Sequence, residues 1–239
     1  MRRPSGVLII LILITGCGSS LPSSAASVAS ARPSATPGTS SGAGAPVSWE
    51  SIEGGRLPAG TYRLAYSSIA GSESYPTLAF TFTLDSGWEK VGLEGLLWGD
   101  SGAKLGFAVP DTVYADPCDV GRGLVDPAPG PTIDEMTRTL FEIPGWEASG
   151  WEWDSYMGFI GSHFRLAGPP NLDGCEEPVR LVRTPGWPGF VEYFGDPLDV
   201  WLLNVRGTRV LIYASRPEDM SDSEVAELQA VFDSIQITP

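Results

Sequence analysis

The amino-acid sequence predicts an α+β fold, in which a mostly antiparallel sheet packs against helices. Between Leu78 and Leu84, apolar residues at even positions alternate with alanine and threonine, the pattern of a half-buried strand. Late in the chain, residues 200–205 and 208–214 are two apolar runs separated by Arg-Gly, which predicts a β-hairpin. Strands that follow one another through short turns favour antiparallel pairing.

Two helices are predicted by capping boxes, in which Ser or Thr is followed three residues later by Glu. Thr132 and Glu135 begin the first helix, and Ser221 and Glu224 begin the second. Apolar residues follow each box at helical spacing. Further strands are predicted at residues 105–109, at residues 157–166 and, after the second helix, near residue 237.

The first 16 residues have the form of a lipoprotein signal peptide. Two arginines precede an apolar run from Val7 to Ile14, which is shorter than the roughly 20 residues that a membrane-spanning helix needs. The segment Ile14-Thr15-Gly16-Cys17 resembles the bacterial lipobox. The resemblance implies lipidation of Cys17 and a protein anchored at the extracytoplasmic face of the bacterial cell membrane. The alternative is an ordinary signal peptide that carries a Cys near its end.

The composition divides the remaining chain into a tether, residues 17–46, and one globular domain, residues 47–239. After the cysteine, the tether consists almost wholly of Ser, Ala, Gly, Thr and Pro. Such a segment cannot bury enough apolar surface to offset the entropy lost on ordering, so we expect it to be disordered. The domain contains every aromatic and every acidic residue of the chain.

The charge of the domain argues against nucleic acid as a partner. Three of the 15 basic residues precede position 47, so the domain has 12 basic against 29 acidic residues, a net charge of −17. Proteins that bind nucleic acid need basic patches to neutralise phosphates. A solvated acidic surface is therefore the interpretation that we prefer.

The cysteine count supports an exported protein with one disulfide. If Cys17 carries lipid, Cys118 and Cys175 remain as a pair, and two cysteines in an exported domain predict a disulfide bond. Neither cysteine lies in a C-x-x-C pair, and His163, the single histidine of the chain, is more than four residues from both. We therefore predict no metal site and no cofactor.

Three segments together resemble a known fold: Phe82-Thr83-Leu84-Asp85-Ser86-Gly87-Trp88 after the early strand, the late hairpin, and the helix running into Phe232-Asp233-Ser234-Ile235-Gln236-Ile237. They resemble the PsbP-like fold, an αβα sandwich found in exported lipoproteins of Gram-positive bacteria. Residues 57–62 and 113–118 are similar to segments of uncharacterised actinobacterial and chloroflexal lipoproteins. The resemblance implies a protein-binding or assembly module rather than an enzyme, and it implies no functional residue.

A serine hydrolase is the alternative function that the sequence suggests. The segment Gly99-Asp100-Ser101-Gly102 resembles the nucleophile loop of chymotrypsin-like hydrolases and the GDSL block of esterases. Such an enzyme needs a histidine as base, and His163 is the single candidate. His163 follows the serine instead of preceding it, so a polar hairpin turn is the interpretation that we prefer for residues 99–102.

Trp151 and Trp153 are the candidate ligand-binding residues. They alternate with Gly150, Glu152 and Asp154 in a polar context, so both rings can share one exposed face. Aromatic rings beside carboxylates can bind sugars, and aromatic-lined grooves can bind peptides. The sequence therefore predicts a noncatalytic binding or assembly module for envelope proteins or glycans.

Overall fold

A computed structural model describes residues 45–66, 78–92, 96–169, 171–185, 190–193 and 195–239. These residues form three β-sheets and two α-helices, together with 3₁₀ turns at Trp49–Ser51 and Val120–Arg122. The strands are β1 Val47–Ser48, β2 Gly55–Arg56, β3 Gly60–Ala65, β4 Ala79–Leu84, β5 Glu89–Val91, β6 Leu96–Trp98, β7 Lys104–Ala108, β8 Thr112–Val113, β9 Glu147–Tyr156, β10 Phe159–Ala167, β11 Val179–Arg183, β12 Phe190–Tyr193, β13 Leu198–Val205, β14 Thr208–Ser215 and β15 Gln236–Thr238; the helices are α1 Ile133–Phe141 and α2 Asp222–Ser234.

The central sheet has eight strands in the order β2-β5-β6-β7-β14-β13-β10-β9, and every neighbouring pair in it is antiparallel. A second sheet has the order β1-β3-β4-β15, in which β1 and β3 are parallel. A third sheet has the order β12-β11-β8. The mixed α+β class with mostly antiparallel strands is thus confirmed.

In the middle of the central sheet, both faces are buried. Along β14, Val210, Ile212 and Ala214 face one hydrophobic cluster, which includes residues of the four-stranded sheet and of α2. Leu211 and Tyr213 face a second cluster, which includes residues of α1 and the three-stranded sheet. Successive side chains of a strand point to opposite faces, so a strand covered on both sides must be apolar at every position.

The two predicted helices form where their capping boxes place them. The Thr132 and Ser221 hydroxyls accept hydrogen bonds from the backbone N–H groups of Glu135 and Glu224, and each glutamate accepts a hydrogen bond from the backbone N–H of its capping residue. After α2, Ile235 leaves the helical conformation and β15 pairs with β4. No helix in the described part of the chain is long and apolar enough to cross a membrane.

The region around residues 147–167 differs from the prediction of a single strand at 157–166. It is a long hairpin of β9 and β10 that turns at Met157 and Gly158, whose φ angles are 55° and 83°. In β10, the alternate residues Ser162, Phe164 and Leu166 are buried, whereas most β9 side chains are exposed. A strand whose side chains are exposed to solvent on both faces lacks the apolar alternation that marks a half-buried strand.

The predicted disulfide is present: Cys118 and Cys175 are joined with an S–S distance of 2.02 Å. The bond connects the segment after β8 to the segment before β11. Backbone hydrogen bonds from Glu176 N to Cys118 O, 2.8 Å, and from Arg180 N to Pro117 O, 3.2 Å, hold the same two segments together. These two segments are therefore joined both by the disulfide and by main-chain hydrogen bonds.

Removal of the disulfide should destabilise the domain. The bond closes a loop with a sequence separation of 57 residues, for which loop-closure entropy in the unfolded chain corresponds to about 4 kcal/mol. We expect Cys118→Ser/Cys175→Ser to lower the free energy of unfolding in urea by about that amount. A reducing agent should lower the midpoint of the parent protein and leave that of the variant unchanged. Equal midpoints for the oxidised parent and the variant would contradict this expectation.

The two capping boxes should make stability depend on pH. Hydrogen bonds from the capping hydroxyl and backbone N–H lower the pKa of Glu135 and of Glu224 below the ordinary value of 4.5. Because the pKa is lower in the folded state, this stabilisation is present above pH 4.5 and is lost as the pH falls through the lowered pKa.

The matched variant is Glu135→Gln/Glu224→Gln, which keeps an acceptor oxygen at each position but cannot ionise. We expect the parent protein to be the more stable at neutral pH and its advantage in urea midpoint to shrink as the pH falls below 4.5. A difference that stays constant between about pH 7 and about pH 3 would show that the ionised carboxylates do not stabilise the helices.

Candidate functional site

Two exposed indole rings lie on the edge strand of the central sheet. The exposed fraction is 42% for Trp151 and 55% for Trp153, and that of nearby Ile160 on β10 is 67%. The centroids of the two indole rings are 6.5 Å apart. We name Trp151, Trp153 and Ile160 the ring patch.

A β-bulge places Trp151 and Trp153 on the face of the sheet that carries α1. Glu152 pairs with His163, but Ser149 pairs with Arg165, so Gly150 and Trp151 together occupy the space opposite one residue of β10. Gly150 has a φ of 67°, a conformation that glycine adopts without the strain caused by a Cβ atom. The extra residue shifts the parity of the strand, so Trp151 and Trp153 lie on the same face as Ala148, although their positions are odd and that of Ala148 is even.

Contacts with the underlying residues Ser162 and Phe141 fix the orientation of the Trp151 ring. Its indole N–H donates a hydrogen bond of 3.1 Å to Oγ of Ser162, which is buried. Its ring lies 5.7 Å from that of Phe141 at the end of α1, and Phe141 in turn packs edge-on against Phe164, 5.2 Å away. The inner ring of the patch is therefore anchored to the core, while Trp153 projects farther into solvent.

The opposite face of β9 carries carboxylates. Glu152 and Asp154 are exposed and alternate with the two tryptophans, so the strand presents rings on one face and negative charge on the other. At the end of the strand, the Tyr156 hydroxyl donates a hydrogen bond of 2.6 Å to the backbone oxygen of Phe232 in α2. Burial, and secondarily the charge of Asp233, raise the pKa of Tyr156, so this phenol stays protonated.

The structure does not bring Ser101 and His163 together. In register across four neighbouring strands, His163 lies beside Trp201, Trp201 beside Ile212, and Ile212 beside Phe107. Phe107 is thus about 14 Å from His163 across the sheet, and Ser101 lies six residues before Phe107, beyond the start of β7. The two side chains cannot form the hydrogen bond that a serine nucleophile and its base require.

Each member of that pair has a local structural role. Gly99 to Gly102 form the turn between β6 and β7, closed by a hydrogen bond of 3.0 Å from Gly102 N to Gly99 O. The Ser101 hydroxyl accepts from Ala103 N at 3.4 Å, within the same turn. The His163 ring stacks on Trp201, with centroids 4.2 Å apart and an angle of 12° between the planes.

Among the described residues, no group of three or more His, Cys, Asp or Glu side chains is placed to hold a metal ion. Asp173 instead belongs to a local turn, in which its backbone N–H donates to Oδ1 of Asn171 at 2.7 Å. Backbone geometry thus accounts for the positions of Asn171 and Asp173.

A buried lysine is the titratable group that the sequence did not single out. The Lys90 ammonium donates to the backbone oxygens of Trp49, 2.8 Å, and Ile52, 2.7 Å, and lies 4.9 Å from the Trp49 ring centroid. Desolvation lowers the pKa of Lys90, and the charge of Glu50 opposes that change. These contacts tie the first 3₁₀ turn to β5, which is a structural role.

No protein-family model, curated protein or solved structure matches the chain. A functional assignment therefore depends on the geometry described above. In that geometry, the ring patch combines exposed apolar area with side chains held by the core. Sequence reasoning identified Trp151 and Trp153 but missed Ile160, because an isoleucine in a predicted strand ordinarily belongs to the core.

Proposed function

We propose that this protein is an extracytoplasmic lipoprotein, anchored to the bacterial cell membrane through Cys17, whose domain is a noncatalytic binding or assembly module for envelope proteins or glycans. The ring patch is its binding surface. The exposure of Trp151 and Trp153 is the observation that supports this proposal most strongly. Large apolar side chains that are grouped and exposed on an acidic domain mark interaction sites.

The anchoring of the rings also supports a binding role. Trp151 is held by Ser162 and Phe141, so little side-chain freedom remains to be lost when a ligand covers it. Tryptophan offers a large contact area at a low cost in conformational entropy. The separation of Ser101 from His163 favours this noncatalytic function over the serine hydrolase.

For the fold, we propose a PsbP-like αβα sandwich. The helices α1 and α2 contribute to the hydrophobic clusters on opposite faces of the central sheet, as a sandwich of that kind requires. The late hairpin β13–β14 and the helix that runs into β15 are the segments of the sequence that resemble that fold.

Lipid anchoring is tested by changing the acceptor thiol. We expect Cys17→Ser to move the protein from the membrane fraction to the soluble fraction, because the acyl chains are the proposed source of membrane affinity. Cys17 lies outside the described residues, and the variant leaves the disulfide of the domain intact, so the near-UV circular dichroism should not change. A variant that remains in the membrane fraction would refute the lipoprotein proposal.

Binding by the ring patch is tested with a photo-crosslinking amino acid in intact cells. Placed at Trp153, the crosslinker should produce an adduct, and Trp151→Ala in the same chain should reduce its yield several-fold because the anchored indole ring of the patch is lost. Val47, an exposed apolar residue elsewhere on the domain, is the matched control position. Protease or glycosidase sensitivity of the adduct tells protein from glycan. The same adducts from positions 47 and 153 would contradict a specific surface.

A further inference from the structure

The outer edge of β9 is open in the described part of the chain. β9 is ten residues long and pairs on one side with β10, and no other described strand pairs with it. In an antiparallel edge strand, the backbone N–H and C=O groups of alternate residues point away from the sheet. β9 therefore presents a row of donors and acceptors to which a further strand can be added.

β9 has few of the features that block strand addition. Folded proteins protect long edges with proline, with charged side chains, of which lysine is the most common, or with bulges that distort the strand. β9 contains neither proline nor lysine, its charged residues are three carboxylates, and its bulge occupies its fourth and fifth residues, Gly150 and Trp151. From Glu152 to Tyr156, the strand pairs with β10 without interruption. This half of the edge keeps the regular geometry that an incoming strand needs.

The charges on β9 indicate which kind of strand can pair with its open edge. In a ladder, residues directly opposite one another lie on the same face, so the residues beside Glu152 and Asp154 must be basic and those beside Trp151 and Trp153 must be apolar. Two copies of β9 paired with each other would bring carboxylates close to carboxylates, which is unfavourable. The basic side chain of Arg165 lies on the carboxylate face but opposite Ser149, and no ion pair among the described residues joins it to Glu152 or Asp154.

We propose that β9 binds an extended segment of another envelope protein as a ninth strand of the central sheet. In that segment, Lys or Arg alternates with apolar residues. This inference rests on the proposed binding function and names its ligand class as a peptide strand. Main-chain hydrogen bonds hold the segment, the ring patch contacts its apolar residues, and Glu152 and Asp154 contact its basic residues.

The first test uses ten-residue peptides with blocked ends and the full chain in detergent. A fluorescent peptide of alternating Lys and Val should bind, whereas a peptide of five Lys followed by five Val, with the same composition and charge, should bind about tenfold more weakly. Bound peptide should slow amide hydrogen exchange in β9. Equal affinities for the two peptides would overturn the inference, because a purely electrostatic contact does not depend on alternation.

N-methylation identifies the strand geometry. All N–H groups of one parity in a strand point to the same edge, so one of two peptides, methylated either on its lysines or on its valines, should lose binding about tenfold or more while the other retains it. Equal effects of the two methylation patterns would show that the backbone of the peptide is not paired with β9 and would overturn the inference.

Charge reversal on β9 should exchange the preferred peptide. We expect Glu152→Lys/Asp154→Lys to weaken binding of the Lys-Val peptide about tenfold and to favour binding of a Glu-Val peptide instead. The matched control is Glu53→Lys/Asp85→Lys, which makes the same change in net charge with two exposed residues outside β9. An equal loss in both variants would assign binding to the overall charge and overturn the inference.

The inference and the proposed function can fail separately. Strand addition is wrong if no peptide binds, or if the affinity depends neither on the alternation of Lys and Val nor on which residues are N-methylated. In that case, an adduct from position 153 still supports a binding surface at the ring patch. If position 153 gives no adduct of its own in cells, the proposed binding function fails as well.

Discussion

The middle of the central sheet is covered on both faces, and most of the structure follows from this constraint. Along β13 and β14, successive side chains enter two different hydrophobic clusters, so each strand must be apolar at nearly every position. One cluster is completed by the four-stranded sheet and α2, and the other by α1 and the three-stranded sheet. A polar side chain in the middle of this hairpin would be buried whichever face it took, at a cost of a few kcal/mol if unpaired.

Burial is uneven across the sheet, and this places the candidate site. The hairpin β13–β14 lies in the middle, whereas β9 lies at an edge, beyond the reach of most of the covering elements. The ring of Trp151 is supported by Ser162 and by Phe141, and the ring of Trp153 packs against that of Trp151. The same alternation that fills two cores in the middle of the sheet therefore separates rings from carboxylates at its edge.

Several polar groups inside the domain connect elements that are far apart in the sequence. Lys90 joins β5 to the first 3₁₀ turn, Tyr156 joins β9 to α2, and the Trp88 indole N–H donates to Glu227 at 3.0 Å. The Cys118–Cys175 bond does the same covalently for two loops. These groups have partners because an unpaired polar group in a dry interior is costly.

Local chemistry allowed much of the fold to be predicted from the sequence. The capping boxes at Thr132 and Ser221, the hairpin turn after Val205 and the disulfide all depend on residue types at short spacings or on a simple count. The α+β class followed from the same signals. The identity of Trp151 and Trp153 as a pair on one face was also predictable, because strand alternation is a local property.

Tertiary structure alone decided the rest. The sequence around β9 is polar and lacks a buried face, so its strand and its bulge at Gly150 become evident only when β10 is beside it. The distance between Ser101 and His163 depends on the order of β7, β14, β13 and β10, which no short-range pattern encodes. The exposure of the ring patch likewise depends on where the sheet ends. Residue patterns determine which elements form and which faces are apolar, whereas strand order determines which of those faces remain open to a partner.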